Sequence, residues 1–282
     1  MTIAVSAATG QLGQRIVAHL LTRVPATDLV AIVRDPAKAT GLADQGIDVR
    51  VADYTDPAAL TRALTGVDAL ILISSNEVGQ RAAQHRNVID AAVTAGVGYI
   101  AYTSLLGADS SPLQLAPEHV ATEQHLAASG IAHSFLRNGW YHENQAANFP
   151  GAQATGTLLT SAGDGRIASA ARDDFAEAAA IVVTSANPEE IYELSGDVAW
   201  TQEDLAAAIG QAINAPVTVT RVDSETHRAA LTDAGLDADT IDFIVTLDEH
   251  VAQGALAATP GTLSRLLGRP TVPLADTLRT LG

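Results

Sequence analysis

The chain has 282 residues, of which 47% are hydrophobic and 17% are charged, so we expect a folded protein with a sizeable core and not a disordered one. It has no cysteine, which excludes disulfides, thiolate metal sites and cysteine nucleophiles. The 32 acidic residues outnumber the 16 basic ones and give a formal charge of -16, which disfavours nucleic acid as a partner.

The sequence also predicts the cellular compartment of the protein. Its first residues lack the basic and apolar regions of a signal peptide, and no stretch reaches the roughly 20 apolar residues that a membrane span needs. We therefore expect a cytoplasmic protein without a membrane span. The sequence leaves a homodimer open.

The first half of the chain alternates apolar, β-branched runs with helical patterns. Strands are predicted at Ile3–Val5, Leu29–Val33, Val49–Ala52, Ala69–Ile73, Val97–Tyr102 and Ile131–Leu136. Helices are predicted at Leu12–Leu21, Pro36–Ala43, Pro57–Leu64, Gln80–Ala95 and Pro117–Ala128. Glycines suited to a left-handed helix terminus follow several of these helices, at Gly46, Gly66, Gly96 and Gly130. Apolar strands separated by helices predict an α/β fold, a doubly wound parallel (Rossmann) sheet covered on both faces.

The alternation stops after Asn138. The glycine- and alanine-rich stretch from Gly151 to Gly165 predicts a hairpin or a crossing loop. The later predicted elements are a helix at 173–184, a strand at Ile191–Leu194, a capped helix from Thr201, a strand at Val217–Val222 and a helical tail from Thr226. We expect a first domain over residues 1–150, to which 173–186 also contribute. A smaller α+β domain over 151–282 would cap the carboxyl edge of the sheet.

The segment SAATGQLG, residues 6–13, has the spacing of a dinucleotide-binding loop between a strand and a helix. Gly10 would let a pyrophosphate approach the backbone, and Gly13 would let the helix pack on the strand. Ala7 stands where the first glycine of such a loop usually occurs, and its methyl group is a small obstruction if its φ is negative. The candidate contacts are Ala7, Thr9, Gly10, Gln11, Leu12 and Gly13. A glycine-rich turn without a ligand is the alternative.

The residues after the second strand bear on which cofactor is bound. Dinucleotide sites for NAD usually place an acid here to bind the ribose 2′-OH, whereas an arginine accommodates the 2′-phosphate of NADP. Arg34 occupies this position, and Lys38, the only lysine of the chain, follows one helical turn later. These two residues favour NADP(H), Asp35 argues against it, and a solvated surface pair is the alternative.

Polar residues also follow the third and fourth strands. Asp53 is a candidate acceptor for the adenine amino group, with capping of the next helix as the alternative. Ser74, Ser75 and Asn76 are small and polar, which suits the nicotinamide ribose or, equally, a capped turn.

These stretches and others resemble the NmrA-like atypical short-chain dehydrogenases over essentially the whole chain. The resemblance is greatest to the flavin-free NAD(P)H:quinone oxidoreductase type 2 group and the triphenylmethane reductases. The segments that carry it are AATGQLG, AIVRDPAK, VADYTDPAAL, LILISSNEVGQRAAQHRNVIDAA, YTSLLGA, LRNGWYHEN, SAGDGRIASAARDDFAEAAA, YELSGDVAWT and LSRLLGRPTVPLADTL. The family loop normally reads TGATGQLG, so Ser6 and Ala7 depart from it.

The resemblance implies that the segment 138–143 covers the nicotinamide end of NADP(H). Its candidate contacts are Asn138, Gly139, Trp140, Tyr141, His142 and Glu143. Trp140 and Tyr141 would stack on a flat acceptor, with packing between domains as the alternative. Ser104 occupies the position of the dehydrogenase serine, with capping or turn formation as the alternative. Ser104 and Tyr141 are the candidate catalytic residues.

The surroundings of the tyrosines limit the reactions that we expect the protein to catalyse. No tyrosine is followed four residues later by the lysine that lowers the phenol pKa in typical short-chain dehydrogenases. Proton-relay chemistry on alcohols and epimerisation are therefore disfavoured. Quinone reduction demands less, because a hydroquinone anion takes its proton from water, and positioning and desolvation supply most of the rate.

No metal site is expected. His119 and Glu123 are spaced i, i+4 on a predicted helix, but two residues do not make a metal site, so we expect them on a solvated helix surface. No HExxH motif and no Ser-His-Asp pattern is visible.

Two hypotheses from different classes follow. The first is an NADPH-dependent, flavin-free quinone reductase that transfers hydride directly to a small-molecule acceptor. The second is an NmrA-like regulator that binds NADP and senses redox state without turnover. Reduction of other electron-poor acceptors, such as cationic dyes or enones, cannot be separated from the first hypothesis by sequence.

Overall fold

The computed structural model describes residues 1–281, which form two compact units. The first unit comprises Met1–Ser110, Gln114–Asn138 and Asp173–Leu194. The second comprises Ser111–Leu113, Gly139–Arg172 and the chain from Ser195 onward. The boundary expected after residue 150 falls inside the second unit. The segment 173–186, assigned to the first domain from the sequence, lies in the longer return segment of the first unit.

The described chain contains nine strands and twelve α-helices. The strands are β1 (Ile3–Val5), β2 (Leu29–Val33), β3 (Asp48–Val51), β4 (Ala69–Leu72), β5 (Tyr99–Leu105), β6 (Ala132–Asn138), β7 (Thr157–Thr160), β8 (Ile191–Leu194) and β9 (Thr218–Arg221). The helices are α1 (Gln11–Leu21), α2 (Thr40–Ala43), α3 (Pro57–Leu64), α4 (Arg81–Ala95), α5 (Ala116–Ala128), α6 (Phe149–Thr155), α7 (Arg172–Val183), α8 (Gln202–Ile213), α9 (Ser224–Asp233), α10 (Ala238–Ala252), α11 (Thr262–Leu267) and α12 (Leu274–Arg279). Short 3₁₀ helices occupy Ala26–Asp28, Pro36–Ala39 and His142–Asn148.

Seven strands of the first unit form one sheet in the order β3-β2-β1-β4-β5-β6-β8. Every neighbouring pair is parallel. The strand order reverses at β1, where Val5 has Ala31 of β2 on one side and Ile71 of β4 on the other. A cleft opens beyond the carboxyl ends of the strands at such a reversal. The expected doubly wound α/β fold is confirmed.

The buried core of this unit explains why its strands and helices could be predicted from the sequence. β2 and β4 are buried at every residue, as strands covered on both faces must be. The sheet packs against the apolar sides of α3, α4 and α5 in one cluster that includes Leu64, Ile89 and Leu126. α3 begins as predicted, with Asp56 accepting a hydrogen bond from the backbone N–H of Ala59 and proline in the first turn. The predicted terminal glycines have left-handed φ values of 84°, 74°, 77° and 78° at Gly46, Gly66, Gly96 and Gly130.

The second unit contains a two-stranded parallel sheet of β7 and β9. The expectation of a hairpin or crossing loop over Gly151–Gly165 is wrong, because this stretch holds most of α6 and all of β7. Gly156 ends α6 in the left-handed conformation, with φ 66°. Thr201 and Asp204 form the expected capping box of α8, and the helical tail is confirmed as α9 to α12. β8, expected in the smaller domain, instead joins the large sheet beside β6.

Among residues 1–281, no helix combines the length and the apolar character needed to cross a bilayer.

Candidate functional site

A cleft of about 410 Å³ opens in the first unit where the strand order reverses. Its walls are the segments that follow β1, β2, β3 and β4. The lining residues are Ala7, Thr9, Gly10, Gln11, Leu12, Gly13, Ile32, Arg34, Asp35, Lys38, Ala52, Asp53, Tyr54, Ile73, Ser74, Ser75, Asn76, Glu77 and Gln84. They include every predicted cofactor contact from Ala7 to Asn76. Asn138, by contrast, is a buried residue at the end of β6 and is not among them.

The turn after β1 depends on a left-handed residue. Ala7 has a φ of 47°, so the condition of negative φ under which its methyl group was expected to be harmless is not met. Its carbonyl oxygen accepts a hydrogen bond of 2.8 Å from the N–H of Gly10. The glycine that the family loop carries here therefore has a conformational reason, because left-handed backbone is unfavourable for alanine.

The loop makes a close approach that requires glycine at position 13 and is tight at position 10. A Cβ on Gly13 would lie 2.3 Å from the carbonyl oxygen of Ala7 and 2.9 Å from the Cα of Ala8. A Cβ on Gly10 would lie 3.1 Å from the same oxygen. These contacts bring the first turn of α1 directly against the end of β1.

The amino end of α1 is open to the cleft. Gly10 is its N-cap and provides no side-chain hydrogen bond to the first turn. The N–H groups of this turn and the positive end of the helix dipole suit an anion. The predicted pyrophosphate contacts Gln11, Leu12 and Gly13 all belong to it.

Basic and acidic side chains share the outer part of the cleft. Nη1 of Arg34 donates to Oε1 of Glu77 at 3.1 Å, and both side chains are exposed, by 65% and 45%. Lys38 is exposed in the same region. Asp35, which counted against NADP in the sequence, accepts from the N–H of Ala37 and caps the 3₁₀ helix Pro36–Ala39. Its carboxylate is thus accounted for by local structure.

Asp53 organises its own turn. One of its carboxylate oxygens accepts from the N–H of Thr55 at 2.8 Å and from the Thr55 hydroxyl at 2.6 Å. These hydrogen bonds to Thr55 hold the pKa of Asp53 below its usual value. Asp56, and not Asp53, caps α3. Asp53 therefore remains an ionised acceptor at the cleft wall.

The segment Ser74–Asn76 is held in place by buried side chains. The N–H of Ser75 donates to Nε2 of His85 at 2.9 Å, and Nε of Arg81 donates to the Ser75 carbonyl at 2.7 Å. The N–H of Ser74 donates to the Thr103 hydroxyl at 2.8 Å. Burial lowers the pKa of His85 to about 3, so its ring is neutral and accepts. These hydrogen bonds fix the backbone of Ser74 and Ser75 at this wall of the cleft.

Sequence reasoning missed the residues that support the floor of the cleft. The Tyr54 hydroxyl donates to Oγ of buried Ser6 at 2.5 Å, and Ser6 accepts from the N–H of Ile73 at 2.9 Å. This joins the ends of β1, β3 and β4. Burial raises the pKa of Tyr54, so it stays protonated. A serine at position 6 was a usable signal, because a buried hydroxyl needs partners.

Ser104 lies in a buried charge cluster in place of the expected substrate contact. Its hydroxyl donates to Oε1 of Glu123 at 2.5 Å, and Arg137 donates to both oxygens of the same carboxylate at 3.0 and 2.6 Å. Because its proton is engaged, Ser104 has none to donate to an acceptor in this arrangement. A structural role in pairing β5 with α5 fits these contacts.

The expectation that His119 and Glu123 lie on a solvated surface is wrong. Each is only 5% exposed. Nδ1 of His119 lies 2.8 Å from the hydroxyl of buried Tyr102. α5 turns this polar pair toward the sheet because strand residues supply partners for both side chains.

The segment 139–143 belongs to the second unit. Trp140 and Tyr141 are half-buried, and the guanidinium of Arg172 lies over the Tyr141 ring, 4.9 Å from its centroid. Both carboxylate oxygens of Glu143 accept from the N–H of Arg172 at 3.0 Å. Glu143 therefore has a structural partner, and its contact with the cofactor stays a prediction.

His142 is likewise committed to structure. It is 2% exposed, with Nδ1 2.6 Å from the Ser169 hydroxyl and Nε2 3.0 Å from the Val272 carbonyl. Ser169 in turn accepts from the indole N–H of Trp200 at 2.8 Å. Burial lowers the pKa of His142. A neutral ring that accepts from Ser169 and donates to Val272 satisfies every group, and it leaves no ring nitrogen for a cofactor.

The second unit also brings together a serine, a histidine and an aspartate that no sequence motif indicated. Nδ1 of His227 lies 2.9 Å from Oγ of Ser161 and 3.4 Å from Oδ2 of Asp248. In a catalytic triad the acid and the serine face opposite ring nitrogens. Here they share one, so the cluster ties α9 and α10 to β7. No group of three potential metal ligands occurs anywhere in the 281 described residues.

Comparisons with known proteins agree with the cleft. A family model described as NAD(P)H-binding matches residues 7–186. Quinone oxidoreductase 2 of Escherichia coli is 52% identical over 99% of this chain and 98% of its own. The crystal structure of that NADPH-dependent quinone oxidoreductase with NADPH has a TM-score of 0.94, covering 99% of both chains.

Two further relatives are more distant. Citrobacter sp. triphenylmethane reductase, in complex with NADP(H), is 35% identical with a TM-score of 0.91, over 100% of both chains. An NmrA-like family domain-containing oxidoreductase of Aspergillus flavus is 30% identical over 100% of this chain and 95% of its own.

Proposed function

This chain belongs to the NAD(P)H-binding family and to its NmrA-like members, and we propose that it is an NADPH-dependent reductase of quinones or similar electron-poor acceptors. It works without flavin, by direct hydride transfer. The observation that carries the proposal is the cleft at the strand reversal, which is lined both by the amino terminus of α1 and by the cations of Arg34 and Lys38.

The residues present fit NADPH. Gly13 lets α1 pack directly against the end of β1, and no side chain at this position covers the backbone of the loop. A pyrophosphate can therefore approach the backbone and accept hydrogen bonds from the first N–H groups of α1. Arg34 and Lys38 lie after β2, where a 2′-phosphate is recognised in this fold. The acids nearby are engaged locally: Asp35 with Ala37 and Asp53 with Thr55.

NADPH, when bound, supplies a hydride to the acceptor. The chain's own contribution is positioning: the loop after β1 orients the pyrophosphate, and the hydrogen-bonded segment after β4, which includes Ser74 and Ser75, forms another wall of the cleft. Tyr54 and Tyr102 are not acids for the reaction, because burial raises the pKa of each phenol. The aromatic ring of Tyr141 is proposed to contact the acceptor. The reduced acceptor takes its proton from water.

Relatives support the choice of acceptor. The Escherichia coli relative is named for quinones and is 52% identical, whereas the relative named for triphenylmethane dyes is 35% identical. We therefore place quinones first and cationic dyes second.

The test is turnover by purified, flavin-free protein. Loss of the absorbance of reduced cofactor is followed with NADPH and a panel of quinones, a triphenylmethane dye and an enone. Turnover with quinones supports the proposal, and faster turnover with the dye would change the acceptor. Binding of NADPH without turnover of any acceptor would favour a redox-sensing regulator.

A further inference from the structure

An acidic side chain contacts the cation that the proposed cofactor needs. Arg34 follows β2 and Glu77 follows β4, and their side chains meet at 3.1 Å although they are 43 residues apart in sequence. Both line the cleft at the strand reversal. The guanidinium group placed to bind a 2′-phosphate is thus already bound to a carboxylate.

Glu77 is not a freely moving surface acid. Its second carboxylate oxygen accepts from Nε2 of Gln84 at 2.6 Å, and Gln84 is only 5% exposed. The backbone N–H of Glu77 donates to Oγ of Ser75 at 3.2 Å. Ser75 is itself held at its N–H and carbonyl by His85 and Arg81. Hydrogen bonds at its second oxygen and along its backbone therefore hold the carboxylate in position beside Arg34.

The two reduced cofactors meet this pair differently. A 2′-phosphate that binds Arg34 shares the guanidinium charge with Glu77, whose carboxylate engages Nη1, and brings negative charge close to that carboxylate. NADH has a hydroxyl at this position and leaves the ion pair intact. We propose that Glu77 is a specificity-determining residue, which competes with the 2′-phosphate of NADPH for Arg34 and so reduces the preference for NADPH over NADH.

This inference rests on the proposed function, in which the cofactor binds in this cleft. Lys38 provides a second cation at the same wall, so the competition weakens the preference for NADPH without abolishing it. Exposed ion pairs are worth little in free energy, which bounds the effect to roughly a two- to fivefold change in affinity.

The experiment measures dissociation constants for NADPH and NADH by calorimetry, without any acceptor. The proteins are the wild type, Glu77→Gln, Arg34→Ala and the double variant Glu77→Gln/Arg34→Ala. The matched control is Glu190→Gln, an exposed glutamate at the amino end of β8, which does not line the cleft. It removes one negative charge from the same unit. Circular dichroism checks that each variant is folded.

Glu77→Gln is expected to tighten NADPH by about two- to fivefold and to leave NADH and the control unchanged. In the Arg34→Ala background the same substitution should give a smaller gain, because only the repulsion between the carboxylate and the 2′-phosphate is then relieved and no guanidinium is released. An undiminished gain without Arg34, or an equal gain for both cofactors, would overturn the competition. No gain in a protein that binds NADPH through Arg34 would sink this inference alone. Failure of the wild type to bind either cofactor would overturn the proposed function and this inference together.

Discussion

A Cβ on Gly13 would lie 2.3 Å from the carbonyl oxygen of Ala7, well inside the contact distance of the two atoms. The same Ala7 has left-handed backbone, with φ 47°. In the loop after β1, position 13 therefore accommodates only glycine. Position 7 has a conformation that favours glycine but is occupied by alanine. This pairing leads to two predictions on stability.

Gly13→Ala should destabilise the protein by about 1–3 kcal/mol, because the added methyl group would clash with backbone atoms, which cannot move aside as a flexible side chain could. The measurement is the midpoint of urea unfolding. Gly41→Ala is the matched control, since Gly41 lies in α2, has no atom within 4 Å of its added Cβ and carries no left-handed φ. It should be neutral or stabilising by about 0.5–1 kcal/mol. Equal destabilisation by both substitutions would contradict the close approach.

Ala7→Gly should stabilise the protein by up to about 1 kcal/mol, because relief of left-handed alanine outweighs the extra entropy of glycine in the unfolded chain. NADPH should bind equally well or somewhat tighter. Asn214, with φ 52°, is the comparison, since asparagine tolerates this conformation and Asn214→Gly should gain less. A loss of stability in Ala7→Gly would show that the turn does not carry this strain.

The first unit was largely predictable because its signals are local. α3 matches its predicted bounds, since Asp56 and Pro57 mark its start and a left-handed Gly66 follows it. The cleft was also predictable, because the carboxyl ends of parallel strands meet at one edge. Contacts between residues that lie far apart in the sequence were not predictable. No local pattern indicates that the Glu77 side chain reaches Arg34.

The second unit was harder for a physical reason. β7 is stabilised by pairing with β9, about 60 residues later, and a short half-buried strand carries little periodicity of its own. The prediction of a solvated surface on α5 failed for a similar reason. The i, i+4 spacing of His119 and Glu123 suits a solvated surface, and only the strands beneath supply their partners, Tyr102 and Arg137.

Two buried histidines should make stability depend on pH. Burial, followed by nearby charge on Arg81, lowers the pKa of His119 to about 3, and burial likewise lowers that of His85 to about 3. The unfolded chain takes up these protons near pH 6.5 and the folded chain does not. Stability is therefore complete above pH 6.5 and falls as the pH is lowered toward 3.

His119→Asn tests this dependence while keeping a side-chain acceptor for Tyr102. Unfolding by urea is compared at pH 7.5 and pH 5. The variant should lose about 1–2 kcal/mol less than the wild type between these conditions, because one titrating group is gone. Carboxylates titrate alike in both proteins and cancel in the comparison. An identical loss in both would contradict the burial of a neutral His119.

Tyr141 should act through its ring and not as an essential acid. Tyr141→Phe keeps the aromatic surface and its contact with Arg172, so most quinone reduction should remain. Tyr141→Ala should raise KM for the quinone with little change in the dissociation constant of NADPH. Steady-state kinetics with one quinone measures both. A thousandfold fall in kcat for Tyr141→Phe, with cofactor binding intact, would make the tyrosine a proton donor.

The central claim is direct hydride transfer from NADPH bound in the cleft after β1. Its most direct test is anaerobic reaction of flavin-free protein with a quinone and NADPH carrying deuterium at the transferred position, for the wild type and Arg34→Ala. The account predicts one NADPH oxidised per hydroquinone formed and a primary isotope effect on a single turnover. Equilibrium titration of the same two proteins with NADPH and with NADH shows whether the cofactor reacts from this cleft: Arg34→Ala should weaken NADPH by about tenfold, as expected for loss of a charge-assisted hydrogen bond, and leave NADH nearly unchanged. Tight NADPH binding without any oxidation of NADPH would contradict direct hydride transfer, and equal weakening of both cofactors would contradict binding of the 2′-phosphate by Arg34.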